Sequence, residues 1–223
     1  MTQEQFKRMI DCWGFSERHL RITWEKLKNI PQEVKDDIIE YEKTFTLDKN
    51  IVFSNWEQNR PNGLFIYSSK NGTGKTSLAH QIAKDLIGTC GIKKMRFLGG
   101  VEMFLELKKT FNPNGGINES DVLDSILQSD IFFLDDFDKL IKWTAYERER
   151  ATLIFDKCYN QMKSVIITSN KSLQELVANN QLEPHLYSRF SEMCKVIEIK
   201  DQQDFRLKSS TGRINTSKGT NFV

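Results

Sequence analysis

Ser69-Lys70-Asn71-Gly72-Thr73-Gly74-Lys75-Thr76 combines glycines, one lysine and a hydroxyl in the spacing of a Walker A loop. Gly72 and Gly74 let backbone amides turn inward around a phosphate without an obstructing Cβ. Lys75 supplies a cation for the β and γ phosphates, and Thr76 a hydroxyl for Mg²⁺. Asn71, Thr73 and Ser77 complete the expected nucleotide-binding stretch. The first position is Ser69 where the motif usually has glycine, which makes the entry turn less permissive but leaves the phosphate-contacting segment intact. A Gly-rich turn before a helix can arise by chance, so a second motif is needed. Ile131-Phe132-Phe133-Leu134-Asp135-Asp136 provides it, with Asp135 sixty positions after Lys75. An apolar strand ending in carboxylates is the Walker B pattern. Asp135 is expected to hold the water shell of Mg²⁺, and Asp136 to polarise the attacking water. The alternative is that Asp136 and Asp138 cap the turn that follows. Thr168-Ser169-Asn170 closes another apolar run, and the carboxyl end of a parallel strand is where Asn170 would orient water or sense phosphate. Read alone, the same residues are an N-cap for a helix at Leu173. Together the three motifs call for ATP and Mg²⁺ between Lys75, Thr76 and Asp135.

These residues meet only if strands deliver them to one edge of a sheet. Short apolar runs at Leu64 to Tyr67, Met95 to Leu98, Ile131 to Leu134, Val165 to Thr168 and Val196 to Ile199 predict five strands. Helical patterns lie near Lys75 to Ile87, Val101 to Thr110, Glu119 to Gln128, Ala145 to Gln161 and Ser172 to Asn179. Strands alternating with helices imply an α/β fold, a three-layer α/β/α sandwich on a five-stranded parallel sheet. Residues 1–60 read as a helical leader, with Ser16 capping a helix from Glu17 to Lys28 and Pro31 opening another through about Tyr41. Residues 61–207 form the core, and 208–223 a mobile tail rich in Ser, Thr, Gly and Asn.

The 223 residues, 28% charged with a formal net charge of +2, allow one well-buried domain and place any nucleic-acid contact in local patches. Cys12, Cys90, Cys158 and Cys194 form no Cys-x-x-Cys pair, and His19, His80 and His185 are dispersed, so zinc and disulfide frameworks are not expected. No stretch approaches the ~18 apolar residues of a membrane span, and the N-terminus has no signal pattern. A cytoplasmic protein without membrane contact is the expectation.

The order Gly-Thr-Gly-Lys-Thr, Phe-Leu-Asp-Asp-Phe, Ile-Ile-Thr-Ser-Asn and Leu-Tyr-Ser-Arg-Phe resembles the DnaC/DnaI-like loaders of replicative helicases and the related IstB-like ATPases, over roughly residues 60 to 206. The resemblance implies a P-loop ATPase of AAA+ type with a minimal or absent C-terminal lid, hydrolysing ATP slowly. It makes Asn170 sensor 1 and Arg189 an arginine finger acting on a neighbouring subunit's nucleotide; as residues alone, Arg189 is also an ordinary helix-end cation. Arg206 falls near sensor 2. Contact with single-stranded DNA is implied at Lys108, Lys109 and Phe111, although lysines at a helix C-terminus are favoured by the dipole and Phe111 suits a core. The partners implied are a hexameric replicative helicase, single-stranded DNA and further copies of the chain. Phe6, Met9, Ile10, Trp13 and Phe15 either face a partner or pack on the core; such stripes are more often buried. The competing functions are an IstB-like transposition ATPase on duplex DNA and a nucleotide-binding adaptor without hydrolysis. A small-molecule kinase lacks a visible acceptor site.

Overall fold

A computed structural model describes residues 2–58, 60–110, 118–139 and 144–200. Four helices precede the first strand: α1 (Gln3–Asp11), α2 (Glu17–Leu20), α3 (Gln32–Thr44) and α4 (Lys49–Glu57). Then follow β1 (Gly63–Tyr67), α5 (Lys75–Cys90), β2 (Met95–Gly99), α6 (Gly100–Lys109), α7 (Glu119–Leu127), β3 (Ile131–Asp135), α8 (Ala145–Asn160), β4 (Ser164–Ser169), α9 (Leu173–Ala178), α10 (Pro184–Met193) and β5 (Cys194–Glu198). The five strands make one sheet in the order β2-β3-β4-β1-β5, and every pairing is parallel. Registers such as Tyr67↔Ser169 and Gly99↔Asp135 bring the carboxyl ends of the strands to a common edge.

Continuous apolar strands are required because helices cover both faces. Side chains alternate between them. Leu64, Ile66, Ile131, Phe133 and Ile166 enter one core with residues of α1, α3 and α5. Phe65, Phe132, Leu134, Val165 and Ile167 enter a second core with residues of α6 to α10. The result is the three-layer α/β/α sandwich expected from the residue pattern.

The helical residues before Gly63 supply much of the first core. Met9, Trp13, Phe15, Leu20, Leu27, Ile30, Val34 and Ile38 are all buried within it. Phe15 lies 4.9 Å from the ring of Phe97 and 5.3 Å from that of Phe133. The edge of the sheet is closed there too: the Phe97 amide of β2 donates to the Trp13 carbonyl at 2.7 Å. Gly14 makes this approach possible. Its φ is +81°, and a Cβ at that position would stand 2.5 Å from the Phe97 carbonyl oxygen.

Two local expectations need correction. The helix predicted from Glu17 to Lys28 is broken into α2 and a 3₁₀ turn over Trp24–Leu27. The Lys84 ammonium of α5 takes the carbonyls of Leu20 and Ile22, and the Trp24 indole donates to Asp85 at 2.9 Å, so tertiary partners replace the helical ladder. The strand predicted at Val196 to Ile199 runs instead from Cys194 to Glu198, because pairing with β1 begins at Gly63↔Cys194. Its burial is interrupted, with Cys194 and Ile197 buried but Val196 and Glu198 exposed, as suits an edge strand, and a search for a continuous apolar run misplaces it. Helix α10 was not expected, although Leu186, Phe190 and Met193 have helical spacing and Pro184 occupies its first turn. The tail, Arg206, Phe111 and any C-terminal lid lie outside the described residues.

Candidate nucleotide-binding site

The loop after β1 and the first turn of α5 form one wall of a cavity of about 600 Å³. Asn71, Gly72, Thr73, Gly74, Lys75, Thr76 and Ser77 all line it, joined by Asp136, Lys139 and Asn170. Gly72 and Gly74 have φ values of +69° and +96°, the left-handed conformation that the amide cradle requires, and Gly74 is the N-cap of α5. The helix dipole therefore points its positive end into the cavity. Lys75 is only 5% exposed. Its ammonium is held at 3.0 Å from the Lys70 carbonyl and 3.4 Å from the Thr73 hydroxyl. Burial lowers the Lys75 pKa, and the charges of Asp136, Asp138 and Asp135 oppose that shift.

The Thr76 hydroxyl donates to both oxygens of Asp135, at 2.8 and 2.9 Å, and the Thr168 hydroxyl donates to the same carboxylate at 2.5 Å. Thus α5, β3 and β4 converge on one half-buried acid. Burial raises its pKa, Asp136 adds to the rise, and the two hydroxyl bonds counter it. A hydroxyl beside a carboxylate is a hard-oxygen donor pair that fits Mg²⁺.

Asp136 has φ +54° and its amide donates to the Thr168 hydroxyl at 3.0 Å. An Asp tolerates this left-handed geometry, which turns its side chain into the cavity. Asp138 is the residue whose role the sequence reading missed. It does not cap the turn with its side chain. Its carboxylate accepts from the Asn170 backbone amide at 2.6 Å and from Asn170 Nδ2 at 3.1 and 3.0 Å. A buried carboxylate thereby fixes which way the Asn170 amide faces. Asp138→Ala is expected to lower kcat for ATP about 10- to 100-fold while nucleotide affinity changes less than about threefold. Equilibrium binding beside steady-state phosphate release checks this, and loss of affinity with kcat retained would make Asp138 a binding group instead.

The opposite wall also escaped sequence reading. Arg18, His19 and Ile22, from α2 and the turn after it, line the cavity. They are held there by His80 of α5. His80 Nε2 accepts from the Ser16 amide at 3.3 Å and Nδ1 lies 2.8 Å from the Thr76 carbonyl, so the neutral ring carries its proton on Nδ1. Burial pushes the His80 pKa down from 6.5 to about 4. The bond to Thr76 opposes the shift, while the nearby His19 and Lys84 reinforce it. Because the folded state disfavours the imidazolium, the unfolded chain binds the extra proton first. The neutral ring's contribution is complete above pH 6.5, shrinks as the pH falls towards 4, and is constant below that. Its span is about 3 kcal/mol. Burial pushes the Glu42 carboxyl up to about 7, which acts in the opposite sense over the same range. The test is therefore the difference in urea stability between wild type and His80→Gln, which should shrink by about that span from neutral pH down to about 4.

Arg189 is not brought to this cavity. Its guanidinium pairs with Asp156 and lies 5.3 Å over the Tyr159 ring, both on α8. Lys108 is paired with Glu147 at 2.8 Å, and that bond, with the Thr144 cap, holds the Glu147 carboxyl below its usual range against the effect of burial. Lys109 is exposed at the end of α6. Among the described residues no group of three His, Cys, Asp or Glu can hold a metal by itself, and no helix is long and apolar enough to cross a membrane.

This sheet order, with a phosphate loop after β1, an acidic end on β3 and a polar end on β4, defines a P-loop nucleotide-binding protein of AAA+ type. The chain belongs to the family described as IstB-like ATP binding protein, whose model matches residues 16–212. It is also similar to the replicative helicase loader DnaC of Buchnera aphidicola subsp. Baizongia pistaciae (strain Bp), 29% identical over 106 residues, or 48% of this chain and 42% of that protein. Among solved structures, that of DnaI has a TM-score of 0.62 at 18% identity, with 84% of this chain and 96% of DnaI covered. The DnaC helicase loader gives 0.54 at 24% identity, covering 72% of this chain and 99% of that one. AMPPCP-bound DnaA from Aquifex aeolicus gives 0.54 at 21% identity, covering 73% and 49%. At these identities the structures establish a shared fold. The chain spans less than half the length of the DnaC relative and of the DnaA chain.

Proposed function

We propose that this protein is an ATP-dependent loader of a replicative hexameric helicase onto single-stranded DNA, acting in the cytoplasm as a slow nucleotide switch. The observation that carries the reading is the convergence of Lys75, Asp136 and Asn170 in one nucleotide-sized cavity, above the Thr76 and Asp135 pair. The likeness to DnaC and DnaI supports the choice of client.

In this reading the loop amides and Lys75 bind the β and γ phosphates, and Asn71 and Ser77 border them. Thr76 and Asp135 hold Mg²⁺, which supplies positive charge against the phosphate oxygens when bound. Asp136 accepts a proton from the attacking water and Asn170 orients that water. Arg189 acts in trans on a second copy, a role supported by its absence from its own cavity. Arg206 serves as sensor 2. Lys109, with Lys108 and Phe111, contacts single-stranded DNA by charge and stacking.

Co-purification with candidate hexameric helicases, in ATP or ADP, tests the reading with wild type, Lys75→Ala and Arg189→Ala. A nucleotide-sensitive complex that lets the helicase enter circular single-stranded DNA supports it. No complex in either nucleotide, with tight duplex binding, would replace it with a transposition-type ATPase.

A further inference from the structure

Asp136 already has a counter-ion within the cavity. The Lys139 ammonium is paired with its carboxylate, and both residues line the space bounded by Lys75 and Asn170. The pair is built by the backbone. Asp136 sits at φ +54°, its carbonyl accepts from the Lys139 amide at 3.0 Å, and the short 3₁₀ turn over Phe137–Lys139 returns the lysine over the acid. Phe137 is fully buried, with its ring 5.8 Å from Phe155 and 5.9 Å from Phe190, so the turn is anchored in the second core. The movable part is the lysine side chain, which is 54% exposed.

We propose that Lys139 is a positioning residue that keeps Asp136 capped until the terminal phosphate of a bound nucleoside triphosphate draws its ammonium away. The inference rests on the nucleotide reading of the site given above. A carboxylate oxygen that already accepts from an ammonium has that lone pair occupied and is screened from a water, so it is poorly placed to take the water's proton. Exposed ion pairs are weak, and a phosphate group carrying more charge than one carboxylate competes well for the same cation. A diphosphate leaves that position unfilled, and Asp136 stays capped. Once uncapped, Asp136 takes a proton as the water oxygen bonds to the γ phosphorus. The bond from that phosphorus to the β,γ-bridging oxygen breaks, and its electron pair leaves on ADP.

The test compares wild type, Lys139→Gln and Lys139→Arg in equilibrium binding of AMPPCP and of ADP with Mg²⁺. Lys139→Gln should weaken AMPPCP about tenfold and leave ADP within about twofold. Lys139→Arg should behave as wild type. Equal weakening of both nucleotides, or no change in either, overturns the proposal. Failure of the wild type to release phosphate at all would remove the hydrolytic part of the proposed function; the triphosphate preference in the binding arm then decides the inference on its own.

Discussion

Lys75→Ala is expected to lower Mg²⁺-dependent phosphate release from ATP by about 10³-fold, the range found when a preorganised charge at a developing anion is removed. The size of the effect follows from where the ammonium is kept. It is nearly inaccessible to solvent, tethered by the Lys70 carbonyl and the Thr73 hydroxyl, and faces three carboxylates. Such a cation needs little reorganisation to meet phosphate, and water cannot replace it once the stem is gone. Lys75→Met, which keeps most of the stem, separates charge from packing and should lose activity to the same extent. Unfolding midpoints measured alongside should stay close to wild type, since burial already disfavours this ammonium in the folded state and its removal relieves that cost. A variant retaining hydrolysis within about tenfold of wild type would mean that Lys75 does not reach the transferred phosphate.

Phe15→Ala is expected to cost about 3–5 kcal/mol of folding stability, read as a lower urea midpoint. Phe15 is 3% exposed and touches His80, Phe97 and Phe133 at once, so its ring joins the N-terminal segment to α5, β2 and β3. The surrounding backbone cannot collapse into the gap, because Trp13 is bonded to Phe97 and Ser16 to His80 on either side. Nucleotide affinity should fall as well, since Arg18, His19 and Ile22 follow directly in the chain and line the cavity. Phe15→Leu should recover part of both losses. A cost below about 1 kcal/mol would show that residues before Gly63 do not fold with the sheet.

The two largest effects fall on residues of very different legibility. Lys75 was readable because phosphate binding is chemically local: Gly72, Gly74, Lys75 and Thr76 act within one loop, and their order alone states the geometry needed. Asp135, Asp136 and Asn170 were readable for a related reason, since a buried parallel strand is a short apolar run and polar residues at its carboxyl end need an explanation. The clamp of Asp138 on Asn170, the cap of Lys139 on Asp136 and the wall formed by Arg18, His19 and Ile22 were not readable. The first depends on β3 lying beside β4, the second on a left-handed φ at a non-glycine residue, and the third on Gly14 bringing the chain against β2. The same contacts end the Glu17 helix early, because Lys84 claims carbonyls that the local pattern assigns to the helix. Motif chemistry is thus carried by neighbours in the chain, whereas the orientation of those motifs is carried by hydrogen bonds between segments that are distant in sequence and adjacent only after the sheet has formed.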